Sequence, residues 1–447
     1  MLHYLWNESL DLLAAIPALV LIGTIGAWRW TMWLAKVIPA LCYRPIANNF
    51  DCTATVVATV FDEDPALFRR GLESWIANAP DRIIAVIDVT DRACQAVARD
   101  YPSVEVIINP AAGKRPALVA GVTACRTEIV VLVDSDVLWE PDVLRLLKMP
   151  FSDPVIGGAS ARAHMIPAGR AANTVRAHGQ DARATLATAH ASAGQDARAT
   201  PAPDQTTAQR GTVWERLADI FLDLRYAAEV PATTRWGRAV SCLSGRTSAY
   251  RTGLLQCLSE PLLHETFNGQ PCLSGDDKRY TTLILERGFK TWHQLNARVY
   301  STFKPDFNGF INQRIRWQRN SFRSDLRALT SRWMWRNPYL ALLLVDKHLA
   351  LFTQLNGPFF FLLVCLYGTP ALAVALIAWW HVSRAIKIFL HLRRRPEDAW
   401  LLPLFIGITF WLSAVKLYAL CTLNRQGWLT RRVTMVDGQP MRLPQAA

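Results

Sequence analysis

The chain contains 447 residues, of which 51% are hydrophobic, and it carries a formal net charge of +13. This size and apolar content exclude a small soluble domain and a disordered chain. A basic excess could indicate nucleic-acid binding, but the arginines cluster beside apolar segments, as the positive-inside rule predicts for a membrane protein. We therefore predict a lipid bilayer as a partner and no nucleic acid. The nine cysteines contain no Cys-x-x-Cys pair, so neither a zinc site nor a disulfide framework is predicted.

Residues 1–44 are predicted to form an N-terminal anchor. The segment Leu10–Trp28 is almost uncharged and long enough to cross a bilayer, and no cleavage signature of a signal peptide follows it. The next segment, Trp28–Tyr43, mixes tryptophans with Arg29 and Lys36, which is typical of an interfacial amphipathic helix. These basic residues predict that the chain beyond them is cytoplasmic.

Residues 45–330 are predicted to form a cytoplasmic α/β domain. Three apolar segments have the length of strands and are followed by polar turns: Ala54–Phe61, Arg82–Asp88 and Val104–Asn109. Helical patterns separate them, which indicates a parallel sheet. In such sheets ligands bind beyond the carboxyl ends of the strands. The polar residues after each strand are therefore candidates for a binding site.

A fourth apolar run of strand length, Ile129–Val133, is followed at once by Asp134-Ser135-Asp136. Two carboxylates spaced one residue apart can hold a hard divalent cation, which in turn can hold a diphosphate. A simple turn at the strand end is the alternative, because Asp and Ser favour turns. Lys114 and Arg115 follow Gly113 just before a predicted helix, where they suit an anionic ligand. A solvated loop is the alternative for that segment.

Two further groups of residues lie on predicted helices. Asp276 and Asp277 precede the helix Lys278–Arg287, where a carboxylate can act either as a general base or as a helix cap. Gln313, Arg316 and Trp317 have the spacing i, i+3 and i+4, so they share one face of a helix. That face can bind a sugar and phosphates, or it can be a basic amphipathic surface at the membrane.

Residues 168–212 are predicted to form a disordered insertion. The segment is rich in Ala, Thr, Gln, Asp and Arg, and Gly-Gln-Asp-Ala-Arg-Ala-Thr occurs at 179–185 and again at 194–200. Two polar copies are too few for a solenoid. The segment has too few large apolar residues to form a core.

Residues 331–432 are predicted to form interfacial and transmembrane helices, and 433–447 a C-terminal tail. The apolar segments are Leu343–Tyr367, Pro370–Ile388 and Leu401–Leu423. Three crossings would leave the basic residues that follow on the wrong side of the membrane. One segment is therefore expected to be interfacial, re-entrant or a hairpin, and the first and the last, which carry polar residues, are the candidates.

Eight motifs occur together along the chain. In chain order they are Phe61-Asp62-Glu63-Asp64-Pro65, Asp88, Gly113-Lys114-Arg115, Asp134-Ser135-Asp136, Ser241-Cys242-Leu243-Ser244-Gly245, Ser274-Gly275-Asp276-Asp277, Gln313-Arg314-Ile315-Arg316-Trp317 and Trp428-Leu429-Thr430-Arg431. Their order resembles that of processive family 2 glycosyltransferases, and most of all hyaluronan synthases and their chitin-synthase-like relatives. The likeness covers roughly residues 54–165 and 213–431. Arg246 stands where hyaluronan synthases usually carry Pro.

The resemblance implies a GT-A (Rossmann-like) domain and a role for each matching residue. It implies that Asp277, with Asp276, acts as the general base, and that Asp136, with Asp134, holds Mg²⁺ or Mn²⁺. Acceptor contacts are implied for Cys242, Ser244, Gly245 and Trp317. Contacts with a UDP-sugar donor are implied for Asp62, Glu63, Asp88, Lys114, Arg115, Asp134, Gln313, Arg316, Trp428 and Arg431.

The function implied is that of a multi-pass enzyme of the cell (plasma or inner) membrane with a cytoplasmic catalytic domain. It would transfer sugar from UDP-sugar with inversion and extend a growing β-linked polysaccharide, which it would also secrete. One alternative is a non-processive enzyme that adds one sugar to a lipid or short acceptor. A remoter alternative is an inactive membrane scaffold or channel. Neither the identity of the sugar nor an oligomeric state follows from these motifs.

Overall fold

The computed structural model describes residues 23–166, 211–428, 433–436 and 439–442. Most of the predicted span Leu10–Trp28 lies outside these residues. Almost all of the predicted insertion 168–212 and the predicted donor-binding residue Arg431 also lie outside them.

A mixed sheet of eight strands forms the centre of the described chain. Its strands are β1 (Ala54–Val60), β2 (Arg82–Asp88), β3 (Val104–Asn109), β4 (Ile129–Asp134), β5 (Val137–Trp139), β6 (Ile156–Met165), β7 (Thr247–Arg251) and β10 (Lys290–Ser301). They lie in the order β3-β2-β1-β4-β7-β6-β10-β5. The four strands predicted from apolar runs are all present. Strands β1, β2 and β4 bury nearly every residue, as expected between two layers of helices, whereas the edge strand β3 buries only Val104 and Asn109.

In the parallel half of the sheet, the carboxyl ends of the four strands lie at the same edge. Strands β3, β2, β1 and β4 run parallel, and their register pairs Asp88 with Asn109 and Thr59 with Asp134. Because parallel strands in this register end together, the polar residues that follow them meet at one edge. The sequence-based expectation of a parallel sheet is confirmed for this half.

The other half departs from the predicted parallel sheet. Strand β7 lies between β4 and β6 and is antiparallel to both, and β5 is antiparallel to β10. The sequence of β7, Thr-Ser-Ala-Tyr-Arg, has no continuous apolar run, so its position depends on pairing with strands far away in the chain. The architecture is therefore a mixed α/β sheet.

Helices cover both faces of the sheet and continue into the C-terminal region. A helix over residues 23–41, α1, passes without a break through Trp28, where a change from anchor to interfacial helix was predicted. The helix Val213–Leu224 continues into two π-helical turns, Arg225–Glu229 and Thr233–Gly237. The helices that follow α1 are α2 (Pro65–Ile76), α3 (Arg92–Arg99), α4 (Lys114–Ala124), α5 (Val143–Lys148), α6 (Val213–Leu224), α7 (Thr252–Cys257), α8 (Ser259–Leu263), α9 (Asp276–Glu286), α10 (Phe307–Leu329), α11 (Pro338–Tyr367), α12 (Pro370–Lys387), α13 (Phe389–Arg394) and α14 (Leu402–Cys421).

Two helical segments in the described part of the chain are long and apolar enough to cross a membrane. They are Pro338–Tyr367 and Pro396–Cys421, so length and composition favour the first and the last predicted segments rather than the middle one, α12. Large apolar side chains are exposed along α11, including Phe352, Phe359 and Leu366. An exposed apolar surface of this kind is what contact with lipid requires.

A buried carboxylate joins α1 to α11. Asp346, which is 1% exposed, accepts hydrogen bonds from Lys36 Nζ at 2.8 Å, Trp28 Nε1 at 3.2 Å and Arg29 Nη1 at 3.3 Å. The two basic residues predicted to face a membrane surface therefore neutralise a charge on a neighbouring helix.

The C-terminal segment, which was predicted to be a tail, contains short strands. Short strands β11 (Gly427–Trp428), β12 (Val433–Val436) and β13 (Gln439–Arg442) form a separate antiparallel sheet. Two other short strands, β8 (Thr266–Phe267) and β9 (Gln270–Pro271), form a hairpin before α9. The predicted boundary at residue 433 therefore divides one small sheet.

A buried histidine lies between carboxylates at the junction of α6 and α13. His391 Nδ1 lies 2.8 Å from Asp223, and His391 Nε2 lies 2.8 Å from Asp398. Asp219, Asp223 and His391 are close enough to share a metal ion, but Arg394 lies 2.9 Å from Asp223 and Arg395 3.1 Å from Asp219. Burial opposes the charged imidazole, yet the two carboxylates outweigh it and raise the pKa of His391 to about 9. A protonated histidine cannot ligate a metal, so we interpret the cluster as an ionic contact between helices.

We predict a pH-dependent contribution of His391 to stability. Its folded pKa of about 9 exceeds its usual 6.5, so the stabilisation is complete below pH 6.5 and is lost as the pH rises through 9. Thermal unfolding of the parent and of His391→Gln in detergent should show a difference in Tm that shrinks over this range. His264→Gln, at an exposed histidine, is the control. A constant difference in Tm from pH 6 to pH 10 would contradict the ionic contact.

Candidate active site

A cavity of about 570 Å³ opens at the carboxyl ends of the parallel strands. It lies between this edge of the sheet, the first turn of α9 and one face of α10. Of the residues singled out in the sequence, those that line it are Glu63, Asp88, Lys114, Asp134, Asp136, Cys242, Ser244, Gly245, Asp276, Asp277, Gln313, Arg316 and Trp317. The fold therefore gathers motifs that are up to 254 positions apart in sequence.

Lys114 bridges two of the carboxylates in this cavity. Its Nζ donates to Asp134 Oδ1 at 2.6 Å and lies 3.2 Å from Asp276 Oδ2. Burial opposes the charge on Lys114, but Asp134 and Asp276 outweigh burial and raise the pKa of the lysine. The lysine thus links the end of β4 to the first turn of α9.

Asp277 lies at the start of α9 with its carboxylate in the cavity. Oδ1 accepts from the backbone N–H of Lys278 at 2.8 Å, and Oδ2 accepts from the backbone N–H of Gly245 at 3.3 Å. Burial, followed by the negative charge of Asp276, raises the pKa of Asp277. Burial also raises the pKa of Asp276, but the positive charges of Lys114 and Arg115 outweigh burial, so the pKa of Asp276 is lowered. One carboxylate of the pair is thus a stronger proton acceptor than an ordinary Asp, and the other stays ionised.

Gly275 sets the direction in which α9 begins. Its φ is +87°, in the left-handed region, and a Cβ at this position would lie 2.9 Å from the side chain of Asn320 on α10. Both the backbone conformation and the close approach favour glycine. A larger residue would displace α10 or the first turn of α9, and with it Asp276 and Asp277.

The turn after β4 offers oxygen ligands for a cation. Ser135 Oγ donates to Glu63 Oε2 at 2.7 Å, which ties this turn to the end of β1, and Asp136 Oδ2 accepts from Thr302 Oγ1 at 3.2 Å. Asp134 and Asp136 both line the cavity. Oxygen donors of this kind suit Mg²⁺ or Mn²⁺, which commonly use one or two protein carboxylates and complete their shell with phosphate and water. The residues present therefore fit a divalent cation.

Helix α10 supplies the opposite wall of the cavity. The Asp306 side chain caps the helix by accepting from Gly309 N at 2.8 Å. Trp317 lines the cavity, and its ring packs edge-on against Phe303 with centroids 6.1 Å apart. The helical spacing predicted from sequence does bring Gln313, Arg316 and Trp317 to one face.

Asp62 and Arg115 were expected to contact a donor, but they do not line the cavity. Arg115 is 4% exposed and pairs with Glu265 at 2.5 Å, while its other donors bond the carbonyls of Leu262 at 2.9 Å and Ser274 at 3.1 Å. It therefore stabilises the segment before α9 rather than facing a phosphate. Asp62 is exposed and has a left-handed φ of +50° in the turn after β1. Trp428 pairs through its backbone with Val433.

The sequence did not indicate a contact between the C-terminal strands and Asp88. Arg442 Nη2 donates to Asp88 Oδ2 at 2.8 Å and to the carbonyl of Pro110 at 2.9 Å. Thr90 Oγ1 donates to Asp88 Oδ1 at 2.7 Å. A lone arginine in a polar tail carries no local signal for such a contact. Asp88 thus lies at the edge where the small C-terminal sheet meets the large one.

The sequence profile of the family described as "Glycosyltransferase like family 2" matches residues 52–320 of this chain. A "Type 2 glycosyltransferase" of Pyricularia oryzae is 26% identical over 90% of this chain and 78% of its own length. An "N-acetylglucosaminyltransferase" of Rhizobium meliloti is 25% identical over 88% of this chain and 84% of its own length.

Among solved structures, a mannosyltransferase from Pyrobaculum calidifontis, in complex with GDP-Man and Mn²⁺, is similar with a TM-score of 0.55. The likeness covers 92% of this chain and 97% of that one at 17% sequence identity. At this identity the comparison shows a common fold, that of a GT-A-like mixed sheet with helices.

Proposed function

The chain belongs to glycosyltransferase-like family 2, and from this we propose a function. The protein is a membrane-embedded, inverting enzyme that uses a UDP-sugar to extend a β-linked polysaccharide of hyaluronan or chitin type. The observation that carries the proposal is one cavity that combines Asp134 and Asp136, the carboxylate of Asp277 and the indole of Trp317. A metal-dependent, inverting sugar transferase uses three elements of this kind: a pair of carboxylates that hold a cation on the diphosphate, a base and a surface that binds the sugar.

In the proposed reaction, Asp277 accepts the proton of an acceptor hydroxyl while that oxygen attacks the anomeric carbon of the donor. The raised pKa of Asp277 favours this proton transfer. The bond to the UDP oxygen breaks on the opposite face of the sugar, so an α-linked donor gives a β-linked product. Asp134 and Asp136 would hold Mg²⁺ or Mn²⁺, which offsets negative charge on the departing diphosphate.

Further cavity residues have proposed binding roles in this scheme. Glu63 and Asp88 lie at the ends of β1 and β2, where a nucleoside would bind, and Lys114 faces the same edge. On α10, Gln313 and Arg316 would contact the diphosphate. Cys242, Ser244 and Gly245 surround Asp277 and would contact the acceptor, since Cys242 Sγ lies 3.6 Å and Gly245 N 3.3 Å from its carboxylate.

Membrane embedding is supported by the apolar helices that follow the catalytic region. The segments Pro338–Tyr367 and Pro396–Cys421 have the length and apolarity of membrane spans. Lys347 of α11 lines the cavity, so the proposed acceptor site adjoins a proposed membrane helix. We propose that the enzyme lies in the plasma or inner membrane as a multi-pass protein with a cytoplasmic catalytic domain and passes the growing chain along these helices.

The donor proposed for the first test is UDP-N-acetylglucosamine. Several relatives, including those of Rhizobium meliloti and Bradyrhizobium diazoefficiens, carry the name N-acetylglucosaminyltransferase. Purified protein should be incubated with a panel of UDP-sugars, and the products should be sized. Products that carry one added sugar would favour the non-processive alternative.

We predict that Asp277→Asn reduces transfer by roughly 10²-fold or more, since it removes a positioned base. UDP affinity should stay within a few-fold of the parent value, because the amide leaves the donor contacts in place. In the parent, kcat/KM should fall as the pH is lowered through a pKa above the usual Asp value of about 3.9, because the base must be unprotonated. Asp142→Asn, at an exposed carboxylate, is the control. Near-normal turnover of Asp277→Asn would identify Asp277 as a helix cap.

We predict that Asp136→Ala weakens binding of UDP in the presence of Mg²⁺ or Mn²⁺. Binding should also become less dependent on the metal, because the carboxylate and the diphosphate share the ion. Calorimetric titration of UDP with and without metal measures both effects. Glu260→Ala, at an exposed carboxylate, should leave them unchanged. Metal-independent binding by the parent protein would show that Asp134 and Asp136 do not hold a cation.

We predict that Trp317→Ala shortens or eliminates the polymer while donor hydrolysis or a first transfer persists. An indole holds a sugar by stacking without fixing its orientation, which a polymerase needs between additions. Gel sizing of radiolabelled product beside an assay of UDP release separates these outcomes. Trp317→Phe retains an aromatic ring and should keep most of the chain length. Polymer of normal length from Trp317→Ala would contradict the processive function.

A further inference from the structure

Two arginines flank the indole of Trp317 at the wall of the cavity. The Cζ atom of Arg314 lies 5.2 Å from the centroid of the Trp317 ring, and that of Arg246 lies 5.8 Å from it. Both side chains line the cavity. Both guanidinium groups lie over the indole ring, so a ligand that reaches this wall of the cavity meets two guanidinium groups beside an aromatic ring.

Arg314 is buried without a counter-ion. Its Cζ lies 4.7 Å from the ring centroid of Phe310 and 5.2 Å from that of Phe221, so three aromatic rings surround the guanidinium. Its Nε and Nη2 are buried and have no hydrogen-bond partner among the residues that the structure describes. Burial and the positive charge of Arg246 lower the pKa of Arg314 to about 9. Aromatic rings attract a cation but leave its charge and these donors unsatisfied.

Arg246 also lacks an acidic partner in the described chain. Its Nε donates to the neutral Oγ of Ser301, and its Cζ lies 4.5 Å from the ring centroid of Phe303. The backbone carbonyl of Arg246 accepts from Asp134 N at 3.2 Å, which fixes the residue at the end of β4. The side chain is thus held in position by groups that do not neutralise it.

Three lysines of the cavity differ from these two arginines. Lys114 is neutralised by Asp134 and Asp276, whereas Lys278 and Lys347 share the buried carboxylate of Asp325. Positive charge is therefore uncompensated at the Trp317 wall. Two neighbouring like charges in a region of low dielectric are unfavourable unless an anion lies between them.

We propose that Arg246 and Arg314 form a subsite for an oxyanion, a carboxylate or a phosphate, carried by the sugar that stacks on Trp317. The subsite rests on the proposed function, because that function assigns a sugar to Trp317. It selects an acidic acceptor over a neutral one. A sugar that reaches Trp317 can place an acidic substituent against the guanidinium groups that lie over the indole, where charge-assisted hydrogen bonds form. Arginine is suited to this role because its planar fork can bind both oxygens of such a group.

Direct binding to the full-length protein in detergent, with UDP and Mn²⁺ present, tests the subsite without requiring turnover. One probe is a β-linked tetrasaccharide with glucuronate at its non-reducing end, and its matched neutral probe is the same molecule after reduction of the carboxyl group. A third probe, glucose 6-phosphate, separates a phosphate from a carboxylate. The parent should bind at least one acidic probe about tenfold more tightly than the neutral tetrasaccharide, as expected for charge-assisted hydrogen bonds in a buried site.

Variants of the two arginines test whether these residues cause the preference for the acidic probe. Arg314→Gln and Arg246→Gln should each remove most of the preference for the acidic probe and leave affinity for the neutral tetrasaccharide within about twofold. Arg314→Lys retains the charge and should keep part of the preference, which also separates loss of the charge from misfolding. Arg332→Gln removes an exposed arginine and should have no effect.

Three results would overturn the subsite. The first is equal affinity of the parent for the acidic and the neutral tetrasaccharide together with no binding of glucose 6-phosphate. The second is a preference that survives in both Gln variants, which would make the contacts of the two arginines with Trp317 purely structural. The third is a loss of UDP affinity in the variants as large as the loss of acidic-probe affinity, which would assign the pair to the donor diphosphate. Absence of transfer with every UDP-sugar would instead count against the proposed function, since probe binding is measured separately.

Discussion

The convergence of carboxylates on one cavity is the constraint on which the rest of the structure depends. Glu63, Asp134, Asp136, Asp276 and Asp277 all line it, and in a region of low dielectric their mutual repulsion is unfavourable. Lys114 offsets it by contacting both Asp134 and Asp276. The residual negative charge matches the requirements of a divalent cation and of a base with a raised pKa.

Buried ion pairs also connect the catalytic region to the C-terminal helices. Asp325 on α10 is fully buried and pairs with Lys278 of α9 at 2.6 Å and with Lys347 of α11 at 2.7 Å. Lys278 also donates to the carbonyl of Ser241 at 2.6 Å. Because breaking one partner of a buried pair leaves an uncompensated charge, these three helices are expected to move together. The start of α9, where Asp277 lies, is thereby coupled to a proposed membrane helix.

The cavity has two walls of opposite character. Carboxylates occupy the edge of the sheet and the first turn of α9, whereas α10 contributes arginines and an indole. A cation and a diphosphate fit between the two walls, since each wall neutralises one of them. The aromatic surface of α10 extends the cavity, and we propose that a sugar acceptor binds there. The mixed sheet permits this arrangement, since β7 runs antiparallel beside β4 and brings Gly245 and Arg246 next to Asp134.

The sequence by itself determined the elements whose signals are local. Continuous apolar runs predicted β1 to β4, because burial and side-chain periodicity are properties of adjacent residues. The position of Asp134 and Asp136 after one of these runs predicted the edge of the sheet at which they lie. Helical spacing likewise predicted the shared face of Gln313, Arg316 and Trp317. Only the tertiary structure decided the antiparallel position of β7 and two ion pairs. Arg115 pairs with Glu265, 150 positions away, and Arg442 pairs with Asp88, 354 positions away. Such contacts depend on which distant segments share the same space, and a charged residue carries no local mark of whether it will meet a ligand or a partner in its own chain.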